Sequence, residues 1–250
     1  MLIAAAAIVA VLLGVAGLRL VAGRSGGPVD QARPGTVLLV PGFGGSQSAL
    51  NHLADRLRAA GRTATVVTLP GNGTGDLIQQ ASTLDAAAKK ALDGGAPSVD
   101  VVGYSAGGVV ARIWVDRFDT AAQARRIVTL GSPLHGARVA GDGAALGGSA
   151  CPAACRQLAP GSDLLNRLDA NPLPDGLPWL SVWTENDETV QPPDSARLDG
   201  AVNVPLQGLC PQARVSHGEL PTDPRVTALV LRGVAAATLT APTGCETVTT

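Results

Sequence analysis

Residues Val99 to Arg112 read Val-Asp-Val-Val-Gly-Tyr-Ser-Ala-Gly-Gly-Val-Val-Ala-Arg, and no other stretch restricts the fold as tightly. Its first part is short, apolar and β-branched, the pattern of a strand buried on both faces. From Ala106 onward the pattern is that of a helix. Between the two, Ser105 is the centre of a G-x-S-x-G frame, Gly103-Tyr104-Ser105-Ala106-Gly107. A strand that turns directly into a helix holds such a serine in a strained corner with its hydroxyl exposed. Glycines two residues before and two after it allow strand and helix to approach without a Cβ clash. The helix start also aims free backbone N–H groups and a positive dipole end at that corner.

The rest of the chain repeats the alternation. Thr36 to Val40 reads as a buried strand, and Ser48 to Ala60 as a helix with Leu50, Leu53, Ala54 and Leu57 on one face, stopped by Gly61. Thr63 to Leu69 is the next expected strand, followed by the loop Pro70 to Gly75 and a helix that Asp76 can cap, running towards Leu92. After the Ser105 corner come a helix to Phe118, strands over 126–130, 179–183 and 201–206, and a last helix from Pro224 to about Ala237. Uncharged strands alternating with helices imply a mostly parallel central sheet covered on both faces. Gly136 to Ser162 interrupts the rhythm, rich in Gly and Ala and without a clear period.

Composition removes several classes of function. A net charge of −1 with no run of Lys or Arg excludes a basic stripe for nucleic acid. Aromatic residues make up 2% of the chain, so the core rests on Ala, Val and Leu. Leu2 to Leu18 carry no charge, and are followed by Arg19, Arg24 and a Gly/Pro-bearing linker to Arg33. Residues 1–34 therefore read as an N-terminal signal or membrane-anchor segment with its linker, with cleavage after Ala22 one outcome and retention as a tether the other. Residues 35–250 form the folded domain. The four cysteines fit an oxidising compartment, and hence a secreted or extracytoplasmic protein. Three pairings exist; Cys151–Cys155 with Cys210–Cys245 is favoured because the close pair can bridge within one loop. A zinc site is disfavoured, since neither C-x-x-C nor a nearby His pair is present.

A serine hydroxyl becomes a nucleophile when a base takes its proton and an acid fixes the base's tautomer. Of the three histidines, His52 lies in the first helix and reads as a solvated position. His135 follows strand 126–130 and reads as a loop-shaping residue. His217, in Val215-Ser-His-Gly218, follows the last strand, which suits the order serine, acid, histidine. The acid should follow a strand between them. Trp183-Thr-Glu-Asn-Asp-Glu-Thr-Val190 holds three carboxylates, of which Asp187 is the choice and Glu185 the next, with Glu185 and Glu188 more naturally facing solvent. Asp194 and Asp199 lie farther from the strand end. An oxyanion needs two backbone N–H donors. Ala106, after the serine, supplies one, and Phe43 in Val40-Pro-Gly-Phe-Gly-Gly45 the other. That glycine-rich loop lacks the spacing and the lysine of a phosphate-binding loop.

Taken together these segments resemble the secreted actinobacterial lipases and esterases of the α/β-hydrolase superfamily, related to the small Bacillus lipases. The likeness runs from about Thr36 to Val234. It is carried by Val-Pro-Gly-Phe-Gly-Gly, Leu69-Pro-Gly-Asn-Gly-Thr-Gly-Asp, Gly-Tyr-Ser-Ala-Gly-Gly, Leu-Gly-Ser-Pro-Leu-His-Gly, Thr-Glu-Asn-Asp-Glu-Thr-Val and Val-Ser-His-Gly. The resemblance implies an α/β-hydrolase fold with a small or absent lid. It further implies carboxylic ester hydrolysis through a serine acyl-enzyme, with Ser105 as nucleophile, His217 as base and Asp187 as acid. No metal or organic cofactor is expected, the partner is a small-molecule ester or lipid, and the protein is expected to be a monomer. Relatives often show His-Gly where this chain has Pro41-Gly42, which leaves the side-chain support of that loop open. Two other readings fit the same residues: acyl transfer to an alcohol of the cell envelope by the same triad, and a non-catalytic hydrolase-fold protein that binds a surface.

Overall fold

The computed structural model describes residues 29–146 and 151–247; the N-terminal apolar run lies outside them. Six strands form one sheet in the order β2-β1-β3-β4-β5-β6, and every neighbouring pair is parallel. They are β1 Thr36–Val40, β2 Ala64–Val66, β3 Val99–Tyr104, β4 Ala124–Leu130, β5 Trp179–Trp183 and β6 Val202–Pro205. Parallel neighbours need crossovers, and helices supply them. Helix α1 (Ser48–Ala59) leads from β1 to β2, α2 (Leu77–Asp93) from β2 to β3, and α3 (Ala106–Arg117) from β3 to β4.

Alternate residues of the strands feed two apolar layers, which is why the strands are mostly apolar on both faces, with Asp100 on β3 and Arg125 and Arg126 on β4 as charged exceptions. Val37, Leu39, Val102, Val128 and Leu180 pack with Leu50, Leu53 and Leu57 of α1 and with Val226 and Val230 of α8 (Pro224–Gly233). Leu38, Val40, Val101 and Ile127 pack with Leu84 of α2 and with Val109, Val110 and Trp114 of α3 on the other side. Asp76 caps α2 as its position implies, accepting from the Ile78 and Gln79 N–H groups at 2.7 and 3.2 Å.

Several boundaries differ from the sequence pattern. The expected strand over 63–69 shrinks to Ala64–Val66, because β2 is an edge strand with one neighbour, and its register with β1 ends at Leu39↔Val66. The last strand begins at Val202 and hands over at Leu206 to a one-turn helix, α7 (Leu206–Leu209). Helix α8 stops at Gly233 instead of near Ala237. Guanidinium groups from elsewhere in the chain take the carbonyls at and just past its end: Arg126 binds those of Gly233 and Ala237, and Arg125 those of Val234 and Ala235. Arg125 in turn donates to Asp100 at 2.6 Å, with both side chains fully buried.

Among the described residues, the aperiodic segment after β4 holds the helices α4 (Arg138–Leu146) and α5 (Ala153–Gln157), followed by α6 (Asp163–Ala170). Both disulfides join the favoured partners, Cys151 to Cys155 and Cys210 to Cys245, with Cα–Cα separations of 5.2 and 5.0 Å. The segment spans the carboxyl end of the sheet. The Arg138 N–H donates to Gln191 O beyond β5, and the Ala154 N–H to Thr74 O beyond β2. No helix among the described residues is long and apolar enough to cross a membrane.

Candidate active site

The chain leaves β1 towards β2 on one side and returns to β3 on the other, so the sheet's order reverses between β1 and β3. At such a switch point the loops leaving the carboxyl ends of the two strands part and open a crevice. Register Val40↔Gly103 sets the loop after β1 beside the corner after β3. That corner is Ser105, at φ 53° and ψ −127°, a conformation costly to a residue with a Cβ. Two constraints hold it there. The Ser105 N–H donates to Leu130 O at the end of β4 at 2.8 Å. Gly107 lets the helix start press on β1: a Cβ there would lie 2.2 Å from the Val40 carbonyl oxygen.

Asp187 and His217 arrive from two other strand ends. Asp187 sits in the turn after β5 and is 1% exposed. Its Oδ1 accepts from the Thr189 and Val190 N–H groups at 2.9 and 2.7 Å, which fixes the plane of the carboxylate. Its Oδ2 lies 2.7 Å from Nδ1 of His217, itself 6% exposed. Nε2 of His217 lies 3.0 Å from Ser105 Oγ. An ionised carboxylate only accepts, so the ring proton belongs on Nδ1 and the Nε2 lone pair faces the serine hydroxyl. Gly131 leaves space for this chain, since a Cβ there would come within 3.2 Å of both Asp187 Oδ2 and His217 Nδ1.

The remaining expected positions fall as follows. Gly42 abuts the serine, a Cβ on it lying 2.9 Å from Ser105 Cβ. Phe43 is the next residue, with its ring half exposed. Ala106 is the first residue of α3, where a helix leaves its N–H without an internal acceptor. Among the described residues, neither the Phe43 nor the Ala106 N–H donates to a backbone acceptor. His52 is exposed on α1. His135 turns away from the serine: Nδ1 meets Asp169 Oδ1 at 3.0 Å, and Nε2 meets Arg197 O at 3.0 Å. It lines a cavity of about 560 Å³ with Arg112 and Asp169. Glu185 is exposed, as expected. Among the described residues no group of three His, Cys, Asp or Glu side chains is set to hold a metal ion.

Two residues escape the sequence argument. Glu188, exposed as expected, also accepts from the His217 backbone N–H with Oε2 at 3.0 Å. Tyr104 donates its hydroxyl to His217 O at 3.2 Å, and the two ring centroids lie 5.2 Å apart. Burial, then the charges of Asp187 and Glu188, push the Tyr104 phenol up to about 12, so it remains a donor at any ordinary pH. The one available signal was adjacency: each directly neighbours a residue of the candidate triad.

A family model described as the PGAP1-like alpha/beta domain matches residues 71–147, a minority of the chain. No curated protein matches by sequence. Among solved structures, Aspergillus fumigatus lipase B superposes with a TM-score of 0.66 at 17% identity, covering 84% of this chain and 54% of its own. Bacillus licheniformis lipase BlEst2 in its propeptide form gives 0.63 at 20% identity, covering 90% and 55%. An extracellular α/β-hydrolase from a Paenibacillus species gives 0.50 at 15% identity, covering 80% and 99%. The chain spans about half the length of the two lipases. At these identities the likeness is one of fold, and the fold is that of the α/β-hydrolases.

Proposed function

We propose that this chain is a carboxylic ester hydrolase, a lipase or esterase, that works through an acyl-enzyme on Ser105. The observation that carries the reading is the continuous chain Ser105 Oγ, His217 Nε2, His217 Nδ1, Asp187 Oδ2, with links of 3.0 and 2.7 Å at the switch point of the sheet. His217 takes the Ser105 proton as Oγ bonds to the ester carbonyl carbon. The oxyanion that forms is held by the N–H groups of Phe43 and Ala106. His217 then returns the proton to the departing alcohol as the C–O bond breaks. Water, deprotonated by the same imidazole, attacks the acyl-enzyme and releases the acid.

An apolar acyl group fits the surroundings. The large apolar side chains exposed among the described residues are Phe43, in the loop against Ser105, and Val139 and Leu146 on α4, in the segment that spans the sheet's carboxyl end. Two disulfides support residence outside the cytoplasm. Residues 35–250 are read as the catalytic domain, acting as a monomer, with residues 1–34 as its export or tethering segment. The narrower kinship with secreted actinobacterial and small Bacillus lipases rests on the motifs alone.

Ser105→Ala tests the proposal on activated esters of increasing chain length. The expected outcome is a fall of about 10⁴-fold or more in kcat and loss of labelling by a fluorophosphonate probe. Full activity in that variant, or a label on another residue, removes the reading. Product analysis with added glycerol separates free acid from a newly formed ester, and hence hydrolysis from acyl transfer.

A further inference from the structure

We propose that Glu188 and Tyr104 are positioning residues that grip the backbone of His217 from opposite sides, while their chain neighbours grip its ring. The inference rests on the triad reading above. Besides the Leu220 N–H, which donates to the His217 carbonyl at 3.3 Å within the same turn, His217 is held at four points by two pairs of consecutive residues. Asp187 takes ring Nδ1 and Glu188 takes the backbone N–H; Ser105 meets ring Nε2 and Tyr104 donates to the backbone carbonyl. The acid turn thus holds the histidine's donors and the nucleophile corner its acceptors.

Physical need explains the arrangement. His217 opens a single three-residue turn, His217–Glu219, so no helix of any length fixes its backbone. Its N–H is a first-turn donor without an internal acceptor. The preceding N–H, that of Ser216, is taken by Glu219 Oε2 at 2.8 Å, and Ser216 Oγ meets the same oxygen at 2.7 Å. The His217 N–H is left to Glu188, which reaches it from the turn after β5. The phenol of Tyr104, kept protonated by burial, closes the other side. A histidine on a short turn can drift by an ångström, and general-base transfer depends steeply on such a distance. Two backbone tethers on its flanks remove that freedom.

Three variants separate the tether from the charge. Glu188→Ala and Tyr104→Phe each lose one backbone hydrogen bond, and each is expected to lower kcat about tenfold while KM for a small activated ester stays within about twofold. Glu188→Gln keeps an acceptor oxygen and loses the charge. It is expected to recover most of the lost kcat, which a merely structural defect would not allow. Wild-type kcat in Glu188→Ala or Tyr104→Phe overturns the proposal, as does a Glu188→Gln enzyme as slow as Glu188→Ala. Ser105→Ala runs alongside: activity that survives it condemns the triad itself, whereas a dead Ser105→Ala beside fully active Glu188→Ala and Tyr104→Phe condemns the clamp alone.

Discussion

At the scale of single residues, what matters is which atom each polar side chain meets. Asp187 illustrates the point: one oxygen is bound to two backbone N–H groups and the other to His217. Asp187→Asn is nearly isosteric, yet an amide that keeps its carbonyl on Thr189 and Val190 must present NH₂ to Nδ1. The ring then flips its tautomer, and Nε2 carries a proton towards Ser105 instead of a lone pair. A fall of about 10⁴-fold in kcat at neutral pH is expected, with the melting temperature little changed, measured by steady-state kinetics beside thermal denaturation. Tyr104 and Glu188 were illegible for a related reason. Their contacts are with the main chain of a residue about thirty or more than a hundred positions away, and main-chain groups leave no signature in the residue type they meet.

At the scale of elements, helices that the sequence pattern announced formed where their caps and apolar faces are local. Asp76 begins α2, and it also accepts from Gln157 Nε2 of α5 at 3.1 Å, while Gln157 Oε1 takes the Leu77 N–H at 2.8 Å. One carboxylate thereby joins the start of α2 to the disulfide-bearing helix. Asp76→Ala is expected to cost about 1–2 kcal/mol, read from urea denaturation midpoints, above the usual capping loss because the tie to α5 goes with it. The element ends that moved were those without a local stop. Strand β2 ran out with its single neighbour. Helix α8 stopped at Gly233, where Arg126 takes the Gly233 carbonyl and Arg125 and Arg126 take those just beyond it. The pattern of Gly136 to Ser162 was unreadable because α4 and α5 are short and gain their order by packing across the sheet's end.

At the scale of the whole molecule, the described residues after α8 add neither strand nor helix to the sheet and its two layers. Cys210–Cys245 ties that tail back to the residues after β6, across a sequence separation of 35. Its removal by Cys210→Ala/Cys245→Ala is expected to cost about 3–4 kcal/mol, chiefly through the freedom regained by the unfolded chain. Differential scanning calorimetry should show a lower melting temperature, with kcat of the folded enzyme near wild type. The three residues of the candidate triad lie after β3, after β5 and after β6, so the site depends on the sheet and not on the tail.

The sequence by itself determined the alternation of strand and helix, the strained serine corner, the order serine, acid, histidine, and the favoured pairing of the cysteines. Each follows from periodicity, from glycine spacing or from residue chemistry that acts over a few positions. Only the tertiary structure decided which carboxylate oxygen meets which imidazole nitrogen, that the exposed Glu188 also reaches the His217 backbone N–H, and where β2 and α8 end. Those outcomes depend on partners brought together from distant parts of the chain by burial of the two apolar layers. Burial is non-directional, so the hydrophobic pattern selects the fold, while the directional hydrogen bonds that complete the site exist only once the fold has formed.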